Sequence, residues 1–332
     1  PEERLVILTA DGGAPPHVLD LDVGRILFLE VSPHGTDGTE RVAFANHRRE
    51  LVLLELPPEG DPTLRVLDRS DIDEIRDPAW APDGRWLAYT KRETPQTRSV
   101  MLCRVETGEV WPATRPVLTD WSPAFDPDGK YLYFIGDRDF RPMRDQLHFE
   151  LGFPLGSRPY VVTLRKDVPS PFVPEPRPVV SQAAAQQAKA DEERKEVAAA
   201  EGEEEAPVVT PVEIDLDGLA DRVIAFPVPE GRYGQIAGVR GKALFSRSPL
   251  SDPSNVTQIL EVYDFETQTT ETLVEDVGPF WLDRGCHTLL YRSGDRLRVL
   301  KAGEKPSDDS GEAKRSTGWI DLDRVKVSVR PG

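Results

Sequence analysis

Cysteine is scarce in this chain of 332 residues: Cys103 and Cys286 are the only two, 183 positions apart. That count rules out a Cys-x-x-Cys metal site. Both sit in apolar, strand-like runs, so they read as buried free thiols suited to a reducing cytoplasm, with one long-range disulfide as the alternative. Histidine is sparse as well. His17, His34, His47, His148 and His287 are scattered with no pair at metal-ligand spacing, and each reads as a strand or turn residue. Positive charge is in deficit, 41 Lys and Arg against 58 Asp and Glu, for a net −17. An anionic phosphate backbone or membrane surface would be repelled by that balance, so neither nucleic acid nor membrane is expected as the main partner.

Long apolar runs are missing. The longest aliphatic stretch is Leu51 to Leu54, far below the roughly 20 residues of a membrane span. No signal peptide is recognisable in Pro1-Glu2-Glu3-Arg4, an opening that suggests a piece of a longer protein, so the sequon Asn255-Val256-Thr257 reads as chance. Catalytic signatures are equally absent: there is no Gly-x-Ser-x-Gly elbow and no His-Glu-x-x-His helix. Gly241-Lys242 resembles the end of a phosphate-binding loop, but Ile236 stands where its first glycine belongs. Neither catalytic residues, a metal nor a cofactor is expected from this chain.

Proline and aromatic residues are what the chain does have. Its 31 prolines are about twice the usual share, which disfavours long helices. Six Trp, seven Tyr and twelve Phe can build a sizeable core although hydrophobic content is only 38%. Residues 78–90, PAWAPDGRWLAYT, match residues 123–135, PAFDPDGKYLYFI, at an offset of 45. Each copy places an Asp-Gly turn between apolar-rich runs, the local signature of a β-hairpin. Weaker copies start at VSPHG (31–35), AGVRG (237–241) and FWLDRG (280–285). A further alternating run, a turn and a fourth strand follow each hairpin, as in SVMLCRV (99–105) and the turn Glu106-Thr107-Gly108-Glu109.

Four antiparallel strands repeated every 45 residues or so are a propeller blade. The expected fold is therefore all-β, a β-propeller of four-stranded antiparallel blades, with a β-solenoid or sandwich as the alternative. Five full repeats start near Val23, Ile72, Asp120, Gly231 and Val277, after a half repeat formed by RLVILTA and HVLDLD, so about five and a half blades are counted. The whole chain, 1–332, reads as one such domain interrupted at 175–207. Within that interruption, residues 181–206 are rich in Ala, Gln and Glu, with eight acidic and three basic residues and no apolar stripe. They predict a charged, partly helical or disordered insertion in the third full blade; an acidic partner-binding helix is the functional alternative.

Two charged runs invite a functional reading. Asp68, Asp71, Asp73, Glu74 and Asp77 could attract a cation or could simply edge a solvated blade. Arg138, Arg141 and Arg144 fall within seven residues, in Asp137-Arg138-Asp139-Phe140-Arg141-Pro142-Met143-Arg144. Arginine holds carboxylates with two parallel hydrogen bonds, so this cluster could grip a peptide C-terminus or acidic side chains. The plainer alternative pairs each arginine with a neighbouring aspartate, and Arg48 and Arg49 pose the same choice.

Several of these motifs together resemble the tricorn protease family, specifically the propeller that directly precedes its catalytic half. The resemblance rests on the repeated SP- and AP-type Asp-Gly hairpins and on Asp137 to Phe140. It rests more specifically on the stretch from Arg158-Pro159-Tyr160 to Pro171-Phe172 and on the run Gly318-Trp319-Ile320-Asp321-Leu322-Asp323-Arg324-Val325. It implies a seven-bladed second propeller of a large cytoplasmic serine peptidase that assembles as a hexamer and cuts oligopeptides. The catalytic serine and histidine of such enzymes lie in other domains, so this chain would gate or channel oligopeptide substrates and contact the parent's other domains. Arg76 and Trp121 fall at equivalent positions just before the innermost strand of their repeats. They join Arg138, Arg141 and Arg144 as the channel candidates. A stand-alone interaction propeller of WD-repeat or TolB-like type, and the lid propeller of a prolyl oligopeptidase, are the competing readings; the Trp-Asp dipeptide of WD repeats is absent.

Overall fold

A computed structural model describes residues 4–8, 13, 15–35, 38–139, 143–144, 151–152, 156–173, 210–249, 258–306 and 310–322. The chain opens with a two-stranded sheet, β1 (Leu5–Ile7) against β2 (His17–Leu19). The first full blade contains β3 (Ile26–Val31), β4 (Glu40–Asn46), β5 (Glu50–Leu56) and β6 (Thr63–Arg69). The second contains β7 (Arg76–Trp80), β8 (Trp86–Arg92), β9 (Arg98–Arg104) and β10 (Val110–Pro112). In the third, β11 (Asp120–Phe125) and β12 (Tyr131–Asp137) are followed by a small separate pair, β13 (Met143–Arg144) with β14 (Leu151–Gly152). The blade then resumes with β15 (Ser157–Thr163) and β16 (Val223–Ala225).

The fourth blade is β17 (Arg232–Val239), β18 (Lys242–Ser248), β19 (Gln258–Asp264) and β20 (Thr269–Val277). The fifth is β21 (Phe280–Leu282), β22 (Thr288–Ser293) and β23 (Arg296–Lys301), with an antiparallel bridge from Arg298 to Trp319 in the fourth place. Within every blade, strands adjacent in sequence are adjacent in space and antiparallel. These sheets follow the five repeats and the half repeat legible in the sequence, and the fold is a β-propeller of antiparallel blades.

Packing explains why the middle strands are the most apolar. Successive side chains on a strand point to opposite faces, and a blade between two others must bury both. On β4, Val42 and Phe44 face β1–β2 while Ala43 and Ala45 face the second blade. On β8, Leu87 and Tyr89 turn back to the first blade and Trp86 and Ala88 turn forward to the third. On β12, Leu132 and Phe134 turn back and Tyr133 and Ile135 forward. Five hydrophobic clusters thus alternate with the sheets, each shared by two neighbours. A fully buried Phe or Leu contributes about 1.5–3 kcal/mol, so these interleaved clusters carry the fold.

The Asp-Gly hairpins form as expected, with Gly84 at φ 66° and Gly129 at φ 68°. These left-handed values cost glycine nothing. The sequence reading of two buried strand thiols holds for Cys103 only, since Cys286 is partly buried and lies outside any strand. Cys103 is buried on β9, but Cys286 lies in a turn at φ 56°, not in a strand, and both are free thiols. The Asp283 carboxylate explains the turn, because it accepts hydrogen bonds from the backbone of His287 (2.7 Å) and Thr288 (2.6 Å) and curls the chain.

The interruption at 175–207 lies outside the described residues, but both flanks are anchored. Phe172 packs against Phe226 (5.0 Å between ring centroids) and Tyr263 (5.7 Å), between the third and fourth blades. Val212 packs between the second and third, and its N–H donates to Asp83 at 2.7 Å. Among the described residues no helix is long and apolar enough to cross a membrane.

Candidate functional site: the inner strands

The first strand of each blade is the inner one: β3 contacts β7, β7 contacts β11, and β11 contacts β17. A bulge breaks the register of each of these four strands, between Ile26 and Phe28, Arg76 and Ala79, Trp121 and Ala124, and Tyr233 and Ile236. Bulges leave backbone groups unpaired and re-aim side chains. Here the freed groups bond to the adjacent blade. Asp77 (φ 52°) and Ser122 (φ 50°) occupy equivalent left-handed positions, each followed by proline.

The Ser122 N–H donates to the Asp77 carboxylate at 3.3 Å, and the Ile236 N–H donates to the Ser122 hydroxyl at 3.1 Å. Tryptophans add two more links. Trp80 Nε1 donates to the Glu30 carbonyl and Trp121 Nε1 to the Gly234 carbonyl, both at 3.0 Å. Gln235 closes on the fifth blade, donating to the Phe280 carbonyl at 2.7 Å and accepting from the Phe280 N–H at 3.3 Å. The inner strands are therefore laced together from blade to blade by side chain-to-backbone bonds.

Carboxylates dominate the titration of this wall. Glu30 on β3 reaches solvent, yet the surrounding protein desolvates it and pushes its carboxyl up to about 7. Burial also raises Asp77, against the opposing pull of the Ser122 N–H and of Arg98 and Arg76. Arg98 is buried and donates to the Asp73 carboxylate at 2.6 Å and to the Glu74 carbonyl at 3.2 Å. Desolvation, with Arg76 nearby, lowers its own affinity for a proton.

The residues singled out from sequence occupy different settings. Arg76 begins β7 and Trp121 lies in β11, both immediately before the bulge; Arg76 pairs with Glu74 at 3.4 Å. Trp121 is half-buried between the third and fourth blades. Arg138 turns inward to Asp120, and Arg144 stands in β13. Arg141 lies outside the described residues. Most of the acidic run is paired: Asp68 with Lys91 and Tyr89, Asp73 with Arg92 and Arg98, Glu74 with Arg76, and Asp77 with the Ser122 N–H. Sequence reasoning overlooked Glu30, Ser122 and Gln235. For Ser122 a signal existed, since Asp77-Pro78 and Ser122-Pro123 recur at the repeat offset of 45.

Comparison with known proteins identifies the relatives of this architecture. Residues 1–303 match the family model described as the tricorn protease second beta propeller domain. A tricorn protease homolog of Saccharolobus solfataricus is 32% identical over 335 residues, covering 99% of this chain and 28% of that protein. Tricorn protease homolog 1 of Streptomyces coelicolor is 33% identical over 323 residues, covering 93% of this chain and 28% of the relative. The chain thus spans little more than a quarter of the length of these curated relatives. Among solved structures, the crystal structure of the tricorn protease superposes with a TM-score of 0.67 at 20% identity, over 86% of this chain and 26% of that one. TolB from Acinetobacter baumannii shares the fold at a TM-score of 0.52 and 13% identity, covering 90% of this chain and 57% of TolB. By family-model coverage and by identity over nearly its whole length, this chain belongs to the tricorn protease second β-propeller family.

Proposed function

We propose that this chain is the non-catalytic gating propeller of a tricorn-like serine peptidase. In this reading its inner strands bound a channel that passes oligopeptides toward an active site in another domain of the parent. The observation that carries it is the lacing of the inner strands. Bonds from Trp80, Ser122, Trp121 and Gln235 to the adjacent blade hold the wall at fixed width. A wall of fixed width excludes folded proteins and admits extended chains. The parent would be cytoplasmic and hexameric with seven blades in this propeller, as the family resemblance implies, and residues 175–207 would be a charged insertion on the third blade.

Arg76 and Trp121 are the wall positions nearest the bulges. Arg141 and Arg144 follow the second strand of the third blade in sequence and are the candidates to meet a peptide carboxylate, whereas the Arg138 guanidinium is already taken by Asp120. The test uses the full-length parent and the 332-residue chain side by side. The chain alone should hydrolyse no peptide. In the parent, Arg76→Glu should lower kcat/KM for long peptides several-fold while leaving a dipeptide-sized chromogenic substrate unchanged. Hydrolysis by the isolated chain, or an equal effect on short and long substrates, overturns the reading.

A further inference from the structure

Glu30 lies one residue short of the end of β3, and its backbone is fixed on both sides. It pairs with Ala43 on β4, and its carbonyl accepts from Trp80 Nε1 at 3.0 Å. By register it shares a face of β3 with Phe28, the face turned to the second blade, where the Trp80 indole packs. The side chain itself is exposed, and its carboxylate makes no hydrogen bond or ion pair with any described residue.

The charged groups of the neighbouring strands are engaged elsewhere. On β4, Arg41 holds Glu55 at 3.0 Å. On β7, Arg76 pairs with Glu74 at 3.4 Å and the Asp77 carboxylate accepts from the Ser122 N–H at 3.3 Å. Just beyond β7, Asp83 accepts from the backbone of Val212 and Arg85. Desolvation is accordingly the one influence on the Glu30 carboxyl, and it acts without any charged neighbour to offset it. The ionised form therefore costs the fold stability, a penalty that develops from the ordinary value of 4.5 up to about 7 and is complete above it. Nor does the side chain help to lace the blades, since the bond to Trp80 uses the backbone carbonyl. A charge kept at a cost to stability, open to solvent and without a counter-ion is one that a ligand can complete.

We propose that Glu30, with the Trp80 indole beside it, is a subsite on the inner wall for the cationic group of a peptide, a lysine or arginine side chain or the N-terminal ammonium. The carboxylate selects positive charge and turns anions away. A single carboxylate is too few oxygen ligands for a calcium or magnesium ion, and no group of three metal-ligating side chains occurs among the described residues. An organic cation needs only one carboxylate, and its alkyl part gains from apolar contact with an indole. That a peptide carries this cation rests on the channel reading above; that the wall binds an organic cation at Glu30 does not.

The test is a titration of the 332-residue chain carrying ¹³Cδ-labelled glutamate, with the Glu30 carboxyl resonance identified by its loss in Glu30→Gln. That variant keeps the backbone bond to Trp80 and so reads binding without risk to the fold. Three probes are compared: N-acetylated, C-amidated Ala-Lys-Ala; C-amidated trialanine with a free amine; and trialanine capped at both ends. At least one cationic probe should shift the Glu30 resonance saturably, draw its titration midpoint below 7 and bind about tenfold more tightly than capped trialanine, since one charge-assisted contact separates them. Followed through Trp80 fluorescence, Glu30→Gln should lose the same tenfold. A response to the lysine peptide identifies a side chain as the source of the cation and a response to the free amine identifies the N-terminus; either supports the subsite. No shift with either, affinity equal to that of capped trialanine, or unchanged affinity in Glu30→Gln overturns it. The channel reading fails separately: a Glu30 response together with a length-independent effect of Arg76→Glu in the parent removes the channel and leaves the subsite, and the reverse pair of results removes the subsite alone.

Discussion

Arg138 holds its carboxylate from inside the core. Its Nε donates to Asp120 Oδ1 at 2.9 Å while Nη2 reaches Oδ2, and its guanidinium lies 5.0 Å from the Phe134 ring and 5.7 Å from Tyr160. Thr114 donates a further bond to Asp120 at 2.6 Å. The Asp120 side chain is only 2% exposed, so removing the arginine strands a buried charge. Breaking such a pair costs about 3–5 kcal/mol, whereas replacing both partners with neutral groups costs far less. Urea denaturation should therefore show Arg138→Ala destabilised by about that amount, and the double variant Asp120→Asn/Arg138→Met should recover most of the loss. Equal destabilisation of the single and double variants would sink this account. The residues adjacent to Arg138 are themselves aspartates, Asp137 and Asp139, and a reading by sequence neighbourhood chooses them. The register chooses Asp120 instead, because Gly136 pairs with Asp120 across β12 and β11.

At the scale of the element, the close approach of inner strands sets the tolerance. A Cβ added at Gly238 on β17 would come 2.6 Å from the Phe125 carbonyl of β11 and 3.1 Å from the Asp126 Cα. Both are backbone atoms of the adjacent blade and cannot step aside as a side-chain tip could. At Gly241, in the turn that follows, a Cβ would meet open space, and only φ 70° opposes it. Gly238→Ala should therefore cost about 2–3 kcal/mol through overpacking, and Gly241→Ala about 1 kcal/mol through left-handed strain. Thermal melts of the two variants check the order; a larger loss at Gly241 would show that the blades can shift apart.

The same elements mark what the sequence could disclose. Asp-Gly hairpins and the doubly buried middle strands announce themselves locally, through turn chemistry and continuous apolar runs, so blade class and repeat boundaries were legible. The bonds that join blades were not, since the Ser122 hydroxyl and the Ile236 N–H are 114 residues apart and meet only after the strands curl inward. Trp319 was legible as a specific motif residue, but not as the bridge partner of Arg298, because residues 302–318 separate it from β23.

Among the described residues, each sheet packs on the sheets beside it, and the five clusters form a series. Such an arrangement isolates an addition at the rim from the packing elsewhere. Residues 175–207 lie between β15 and β16, and the anchors on either side are complete without them. Before the stretch, Phe172 is locked in the aromatic cluster and the Pro171 carbonyl accepts from Gln268 at 2.8 Å. After it, Asp83 holds the Val212 N–H, the Asp215 carboxylate accepts from the Lys166 N–H at 2.7 Å, and Arg222 donates to the Thr163 and Leu164 carbonyls. Because Phe172 and Val212 pack on opposite faces of the third blade, any replacement must still cross its edge. A Gly/Ser linker of about 12 residues spans roughly 20 Å and suffices to bridge one sheet thickness, about 10 Å, with slack. Replacing 175–207 by such a linker should leave the far-UV circular dichroism of the blades unchanged and shift the melting midpoint by no more than about 2 °C, since closing a shorter loop alters chain entropy by only about 1 kcal/mol. A collapse of the melting transition would instead make the stretch an integral part of the third blade, and its acidic charge would then have to be balanced somewhere on that blade's surface.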